Sequence, residues 1–93
     1  MKINWSKVAE VDFEENLNYL NDEWNEKVVL DFTIETERIF EIIAQKPKAF
    51  KKYKKNIHQV PITRHITLYY RIGKDKIELI RFWNNFKKPQ EIK

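Results

Sequence analysis

The spacing of apolar residues predicts a strand followed by two helices in the first half of the chain. Ile3 and Trp5 alternate with polar neighbours, which is the two-residue period of a half-buried strand. Apolar residues then recur every three or four positions over about residues 7–21 and again over about residues 26–45, which predicts two amphipathic helices. Because the break between these helices is short, they should form an antiparallel hairpin.

The flanking residues support these helix bounds. Ser6 can accept a hydrogen bond from a free backbone N–H at the start of the first helix. The break over residues 21–25 contains asparagines, which suit both the exit of one helix and the N-cap of the next. Pro47 disfavours helical geometry in the residue before it, so the second helix should end there.

The second half of the chain predicts three strands after a lysine-rich connector at residues 47–56. The strands are expected at residues 57–62, 65–72 and 76–83, where β-branched and aromatic residues concentrate. Pro61 indicates that the first strand lies at an edge or ends early. The third has apolar residues on both faces, which is typical of a central strand covered on both sides.

These elements predict an α+β fold: an N-terminal strand, an antiparallel helix hairpin and a three-stranded antiparallel meander forming one small sheet. Gly73, the only glycine of the chain, is expected in the last turn with a positive φ. The 93 residues are a length for one domain, so we expect a single domain over residues 1–93.

Composition indicates a protein of the cytoplasm. The chain has no cysteine, although small secreted domains usually depend on disulfides. Its first fifteen residues contain acids and no continuous apolar run, so they do not resemble a signal peptide. No window approaches the roughly 18 apolar residues of a membrane span, so we expect no membrane contact.

The charge is divided unevenly along the chain. Residues 1–45 hold four basic and eleven acidic residues, a net charge of −7, whereas residues 46–93 hold fourteen basic and three acidic residues, a net charge of +11. One interpretation is that the two halves neutralise each other through surface ion pairs of low value. The other is a cationic surface that attracts nucleic acid or an acidic protein.

The amino-acid composition argues against several kinds of functional site. A single glycine does not fit the Gly-rich loops that bind phosphates, and zinc sites of the cysteine type are impossible. His58 and His65 lie seven residues apart without obvious carboxylate partners, so we interpret both as residues of the sheet surface. We therefore expect neither a metal nor another cofactor.

Arg81 is the most informative basic residue, because it lies within an otherwise apolar strand. A charge in such a strand needs a partner if it is buried. Arg81 therefore either forms an ion pair, with Glu78 or with an acid of the helix hairpin, or faces a groove and grips a phosphate or carboxylate with its planar fork. Trp83, two residues later, either packs against its neighbours or stacks on a base.

Four segments resemble the RelE/ParE superfamily of bacterial type II toxins. They are the strand and helix start MKINWSKVAE at residues 1–10, the hairpin end QKP at residues 45–47, LYYRI at residues 68–72, and ELIRFWNN at residues 78–85 followed by Pro89. The resemblance covers nearly the whole chain and keeps the order of the elements. Single motifs of the superfamily are degenerate, so the order of occurrence carries the resemblance.

The resemblance implies a small growth-arresting toxin that is neutralised by a cognate antitoxin protein. Members of the RelE kind cut mRNA in the ribosomal A site with basic residues of the sheet and a C-terminal Tyr or His. Members of the ParE kind inhibit DNA gyrase and are not nucleases. An inert basic binding module remains a third alternative.

The nuclease alternative assigns roles to basic residues of the second half. Thr67 and Phe86 stand where related toxins often carry arginine, and neither Tyr nor His follows Arg81. The candidate catalytic residues are Arg81, Lys52, Lys54 and Arg64. The candidate residues for binding RNA or a partner are Lys51, Lys55, His58, Lys87 and Lys88.

Overall fold

One five-stranded sheet and a helix hairpin make up the protein in a computed structural model that describes residues 1–87. The sheet has the strand order β1-β5-β4-β3-β2, in which β1 runs parallel to β5 and every other pair is antiparallel. The elements in chain order are β1 (Lys2–Trp5), α1 (Lys7–Glu23), α2 (Glu26–Gln45), β2 (Lys52–Lys54), β3 (Ile57–Pro61), β4 (Ile66–Gly73) and β5 (Lys76–Asn84).

The order of a strand, two helices and then a sheet agrees with the α+β prediction, and β3, β4 and β5 form the predicted antiparallel meander. The prediction that these three strands make up the whole sheet is wrong, because the sheet is mixed and has five strands. The N-terminal strand joins the sheet as a parallel edge, with Lys2 opposite Lys76 and Trp5 opposite Leu79. The connector contributes the other edge, β2, which pairs with the start of β3. Both pairings depend on hydrogen bonds to distant or highly charged segments, so the local apolar pattern does not reveal them.

Side-chain caps fix the start of each helix as predicted. The Ser6 hydroxyl accepts a hydrogen bond from the Ala9 N–H at 3.0 Å, and the Asn25 side-chain oxygen accepts one from the Val28 N–H, also at 3.0 Å. Helix α2 has the predicted bounds, whereas α1 continues two residues further, to Glu23. None of the helices within residues 1–87 is long and apolar enough to cross a membrane.

Both helices contribute to a core on one face of the sheet. Trp5, which is 38% exposed, covers the edge of this core, with its ring 5.3 Å from Phe13, 5.6 Å from Phe40 and stacked 5.3 Å from Phe82. The side chains of α1, α2 and the inner sheet face interlock there, and their burial is the main stabilising term of a small domain. The fully buried members are Ala9, Leu20, Phe32, Ile43, Ile66, Leu68, Tyr70, Ile77 and Leu79.

A bulge at Ile80 explains why β5 appears apolar on both faces. Tyr70 pairs with Leu79 and Tyr69 pairs with Arg81, so Ile80 has no partner on β4. An extra residue of this kind reverses the alternation of side chains along a strand. Apolar residues therefore face the core before and after the bulge, and the predicted cover on both faces of β5 is wrong.

The β4–β5 turn also differs from prediction, because its left-handed residue is Asp75, with a φ of 61°, and not Gly73. Gly73 pairs with Lys76 at the end of the ladder, so Asp75 is the residue that must turn the chain. Aspartate adopts this region more readily than most side chains do.

We expect Asp75→Ala to lower the free energy of unfolding by about 1 kcal/mol, because alanine is strained at positive φ. Asp75→Gly is the matched control and should be neutral or stabilising, since glycine adopts this backbone without strain. Urea denaturation of the three proteins measures the difference. Equal destabilisation by both substitutions would show that contacts of the Asp75 side chain, and not strain at positive φ, account for the loss of stability.

Candidate functional site

Helix α1 covers the stretch of β5 that β1 leaves unpaired. The pairing of β1 with β5 ends at Leu79, whose carbonyl then accepts a hydrogen bond from the Ser6 N–H at 3.2 Å. The Ser6 hydroxyl donates to the Ile80 carbonyl at 3.3 Å, and the Asn16 amide donates to the Phe82 carbonyl at 2.8 Å. Side chains of one helix thus satisfy backbone groups that a neighbouring strand would otherwise bind.

Asp12 binds both the backbone of β5 and the side chain of Arg81. One carboxylate oxygen of Asp12 accepts from the Phe82 N–H at 3.1 Å and from Arg81 Nε at 2.7 Å, and the other accepts from Arg81 Nη2 at 3.0 Å. The Asp12 side chain is only 9% exposed, against 31% for Arg81. These hydrogen bonds raise the pKa of Arg81, and a fork of this kind is the strongest form of ion pair.

The predicted ion pair between Arg81 and an acid of the helix hairpin is therefore confirmed. The alternative partner, Glu78, contacts Arg71 instead, at 2.8 Å between its carboxylate oxygen and Arg71 Nη1. Sequence reasoning missed Asp12 and Asn16, although a signal was present. The two residues lie four apart on the same helix face as Ala9 and Leu20, so they are polar positions within an apolar stripe.

Aromatic rings alternate with cations on the sheet face that points away from the helices, which we call the open face. The Arg81 guanidinium lies 5.4 Å from the centre of the Trp83 ring, and the rings of Tyr53 and Tyr69 meet edge to face at 5.0 Å. Half-buried rings beside cations can stack on flat groups and contact anions. The open face comprises Tyr53, Thr67, Tyr69, Arg71, Glu78, Arg81 and Trp83.

The four candidate catalytic residues do not form one cluster. Arg81 lies in the middle of β5 on the open face, whereas Lys52 pairs in register with His58 on the helix side of the sheet. Lys54 ends β2, and its ammonium lies 5.6 Å from the Tyr53 ring. Arg64 lies in the β3–β4 loop, at the opposite end of β3, and stacks on Trp24 at 5.4 Å.

The candidate binding residues occupy two ends of the sheet. Lys51 and Lys55 lie beside β2, where the Lys51 carbonyl accepts from the Gln59 N–H at 2.9 Å and Lys55 has a φ of 44°. Lys87 is exposed beyond β5. Lys88 lies outside the described residues.

Both histidines are buried, so their predicted place on the sheet surface is wrong. His58 is 7% exposed and stacks on Tyr70 at 5.5 Å; His65 is 6% exposed and lies 4.6 Å from Trp24 and 5.5 Å from Phe86. His58 shares a two-residue period with the buried Val60 and Ile62, which signals that it faces the core. Neither ring nitrogen of His65 has a hydrogen-bond partner within residues 1–87.

Burial lowers the pKa of both histidines, and Arg64 lowers the pKa of His65 further. At His58 a hydrogen bond with the backbone of Asn56 opposes the effect of burial, whereas Lys52 and Lys48 add to it. Burial also raises the pKa of Tyr69. Within the described part of the chain, no group of three or more metal-binding side chains is close enough to hold an ion.

Comparison with solved structures shows the same fold in bacterial toxins. A chain of the chromosomal ParDE toxin–antitoxin system of P. aeruginosa superposes with a TM-score of 0.72 at 11% identity, over 90% of this chain and 95% of that one. A YoeB/ParE toxin of Agrobacterium tumefaciens gives 0.65 at 15% identity, over 92% and 100%. A copper-bound mutant toxin of Helicobacter pylori gives 0.65 at 19% identity, over 91% and 94%.

The protein therefore shares its fold with these ParDE and YoeB/ParE chains, which agrees with the sequence resemblance. Because the superpositions cover at least nine-tenths of this chain, the likeness concerns the domain as a whole and not a single motif. No protein-family model and no curated protein matches the sequence.

We expect Arg81→Ala to lower the free energy of unfolding by about 2–3 kcal/mol, because it leaves the Asp12 carboxylate buried with its charge unpaired. The melting temperature should fall by about 10 °C or more. Arg38→Ala is the matched control, since Arg38 forms an exposed pair with Glu35 and its loss should change little. An unchanged melting temperature for Arg81→Ala would contradict the structural role of the pair.

The buried histidines predict that the protein loses stability in mild acid. Their lowered pKa means that protonation of the histidines favours the unfolded state. The free energy of unfolding should therefore be highest above pH 6.5 and decrease as the pH falls below that value. Urea denaturation at pH 7.5 and 5.5 measures this loss. His65→Phe should reduce the difference between the two pH values, and an undiminished difference would exclude His65 as its source.

Proposed function

We propose that this protein is the toxin of a type II toxin–antitoxin pair and acts in the cytoplasm. The fold shared with a ParDE system and a YoeB/ParE toxin supports this proposal. The net charge of +11 in residues 46–93 also supports it, because a strongly cationic surface suits an acidic antitoxin or a nucleic-acid complex as partner.

The antitoxin is proposed to bind at the β2 edge of the sheet. Strand β2 is the edge strand, so the outer backbone of Lys52–Lys54 has no strand beside it in the described part of the chain. An extended segment could add a strand there, and acidic side chains on it would meet the lysines of the connector.

Of the two mechanisms that the family resemblance implies, the geometry favours inhibition of DNA gyrase by binding. The pairing of Arg81 with Asp12 is the observation that carries this choice. Cleavage of RNA needs a cation free to receive developing charge and a general base near neutral pH. On the open face, the fork of Arg81 is occupied, the carboxylate of Glu78 is held by Arg71, and burial raises the pKa of Tyr69.

A second candidate is a ribosome-dependent mRNA endonuclease, and the aromatic rings of the open face favour it. Tyr69 and Trp83 could stack on bases, as rings in cationic grooves do. Arg81 Nη1 makes no hydrogen bond to Asp12 and could still contact one phosphate oxygen. Lys52, Lys54 and Arg64 would then supply further positive charge.

Purified toxin in two assays separates these mechanisms. We expect the protein to block supercoiling by gyrase while translation in a cell-free extract continues, and we expect its expression without antitoxin to arrest growth. Loss of translation with cleavage of ribosome-bound mRNA would instead establish the endonuclease. Normal growth at full expression of folded protein would exclude both toxic mechanisms and support the third alternative, an inert basic binding module.

The open face should be the surface that binds the target. Trp83→Ala is therefore expected to reduce growth arrest at least about tenfold, the effect typical of an aromatic contact at the centre of an interface. Leu30→Ala is the matched control, because Leu30 is an exposed apolar residue of α2, away from the sheet. Melting temperatures of both variants show whether toxicity falls independently of folding, and undiminished toxicity of Trp83→Ala would exclude this surface.

A further inference from the structure

A cationic cleft lies between the connector and the sheet, on the side opposite to the open face. It has a volume of about 320 Å³. Lys52 and His58 pair in register, and His58 in turn pairs with the fully buried Tyr70, which places the cleft on the helix side. We call it the connector cleft; its lining residues are Lys48, Lys52, Lys55, Asn56, His58 and Ile72.

Hydrogen bonds fix the walls of the connector cleft. The Tyr70 hydroxyl donates to the Pro47 carbonyl at 2.6 Å and so anchors the connector one residue before Lys48. At the other wall, Ile72 donates its N–H to the Asn56 carbonyl at 3.0 Å, and the Asn56 amide donates to the Ile72 carbonyl at 3.3 Å. The lysines therefore project from a backbone that is ordered before any ligand arrives, which lowers the entropic cost of binding.

The charge of the connector cleft is not compensated within the described residues. Its lining contains three lysines and no acid, and none of these lysines forms an ion pair within residues 1–87. Lysines of the helix hairpin differ, since Lys7 pairs with Glu10 and Lys27 with Asp31. Like charges that converge on one cavity repel each other until an anion enters it.

Two further features of the lining are unfavourable without a ligand. His58 is 7% exposed, yet its Nδ1 has no hydrogen-bond partner within residues 1–87. Lys55 adopts a φ of 44°, a left-handed backbone that is strained for a lysine. Buried polar atoms without partners and strained backbone are both concentrated at ligand sites.

From this geometry we propose that the connector cleft binds a phosphate group, whether of a free phosphate compound or of a polynucleotide backbone. Lysines bind phosphate as point charges, and three of them can each donate to a different phosphate oxygen, whereas a carboxylate offers only two oxygens. The cavity is large enough for a phosphate group and part of the molecule that carries it. This proposal does not depend on which target the toxin inhibits.

The test titrates the full-length protein with four probes while the ring C–H resonances of His58 are followed by NMR. The probes are inorganic phosphate, AMP, a twelve-nucleotide single strand without terminal phosphates, and a hexaglutamate peptide. We expect phosphate-containing probes to shift the His58 signals and to raise its pKa, because the bound anion stabilises the imidazolium. A single strand that binds more tightly than AMP identifies a polynucleotide as the source, and the reverse order identifies a small phosphate compound.

Variants assign the binding to the connector cleft. The double variant Lys52→Ala, Lys55→Ala should weaken phosphate binding at least about tenfold, because it removes two charge-assisted contacts. Lys27→Ala removes a charge at the opposite end of α2 and should bind as the wild type does. Both substituted lysines of the double variant are exposed, so its melting temperature should be retained.

Three results would overturn the proposal. They are an absence of His58 shifts with every phosphate probe, unchanged affinity in the double variant, and tighter binding of hexaglutamate than of any phosphate probe. The last result would instead assign the connector cleft to acidic side chains of a protein partner. If the double variant unfolds, Lys48→Ala alone must weaken phosphate binding, and an unchanged affinity of that variant would equally overturn the proposal.

Discussion

The hydrogen bonds that the Asp12 carboxylate accepts from Arg81 and Phe82 fix the position of helix α1 on β5, beside the apolar core that stabilises both layers. Strand β1 is too short to cover β5 beyond Leu79, so backbone groups of β5 would remain unpaired beside the core. Asp12 and Asn16 bind those groups and thereby fix α1 against the sheet. Phe13, the residue after Asp12, contacts the rings of Trp5 and Phe82, so the docking of α1 also positions this ring.

The Asp12 carboxylate also determines which cations remain available to a ligand. Asp12 forms an ion pair with Arg81, the residue that the sequence analysis named as a candidate catalytic residue. This ion pair joins the acidic helix hairpin to the basic sheet. Lys48, Lys52 and Lys55 of the connector form no ion pair within residues 1–87. Both arginines of the open face are thus held in ion pairs, whereas the lysines that line the connector cleft are available to bind an anion.

Features set by neighbouring residues could be predicted from the sequence, whereas features set by distant residues could not. The caps Ser6 and Asn25 and the bounds of α2 follow from local hydrogen bonds and periodicity, so they were predictable. The parallel pairing of β1, the bulge at Ile80 and the partner of Arg81 depend on segments more than 60 residues apart or on a register that the pattern does not specify. The burial of His58 could have been predicted from its two-residue spacing to Val60, but histidine and glutamine in the same strand suggested a polar, exposed surface.

A double-mutant cycle between Asp12 and Arg81 tests the structural role of this pair most directly. The free energy of unfolding is measured for the wild type, Asp12→Ala, Arg81→Ala and the double variant. A structural pair predicts a coupling energy of about 1–3 kcal/mol, so the double variant should be much more stable than the sum of the single changes implies. Additive losses would contradict this role and return Arg81 to the candidates for direct chemistry.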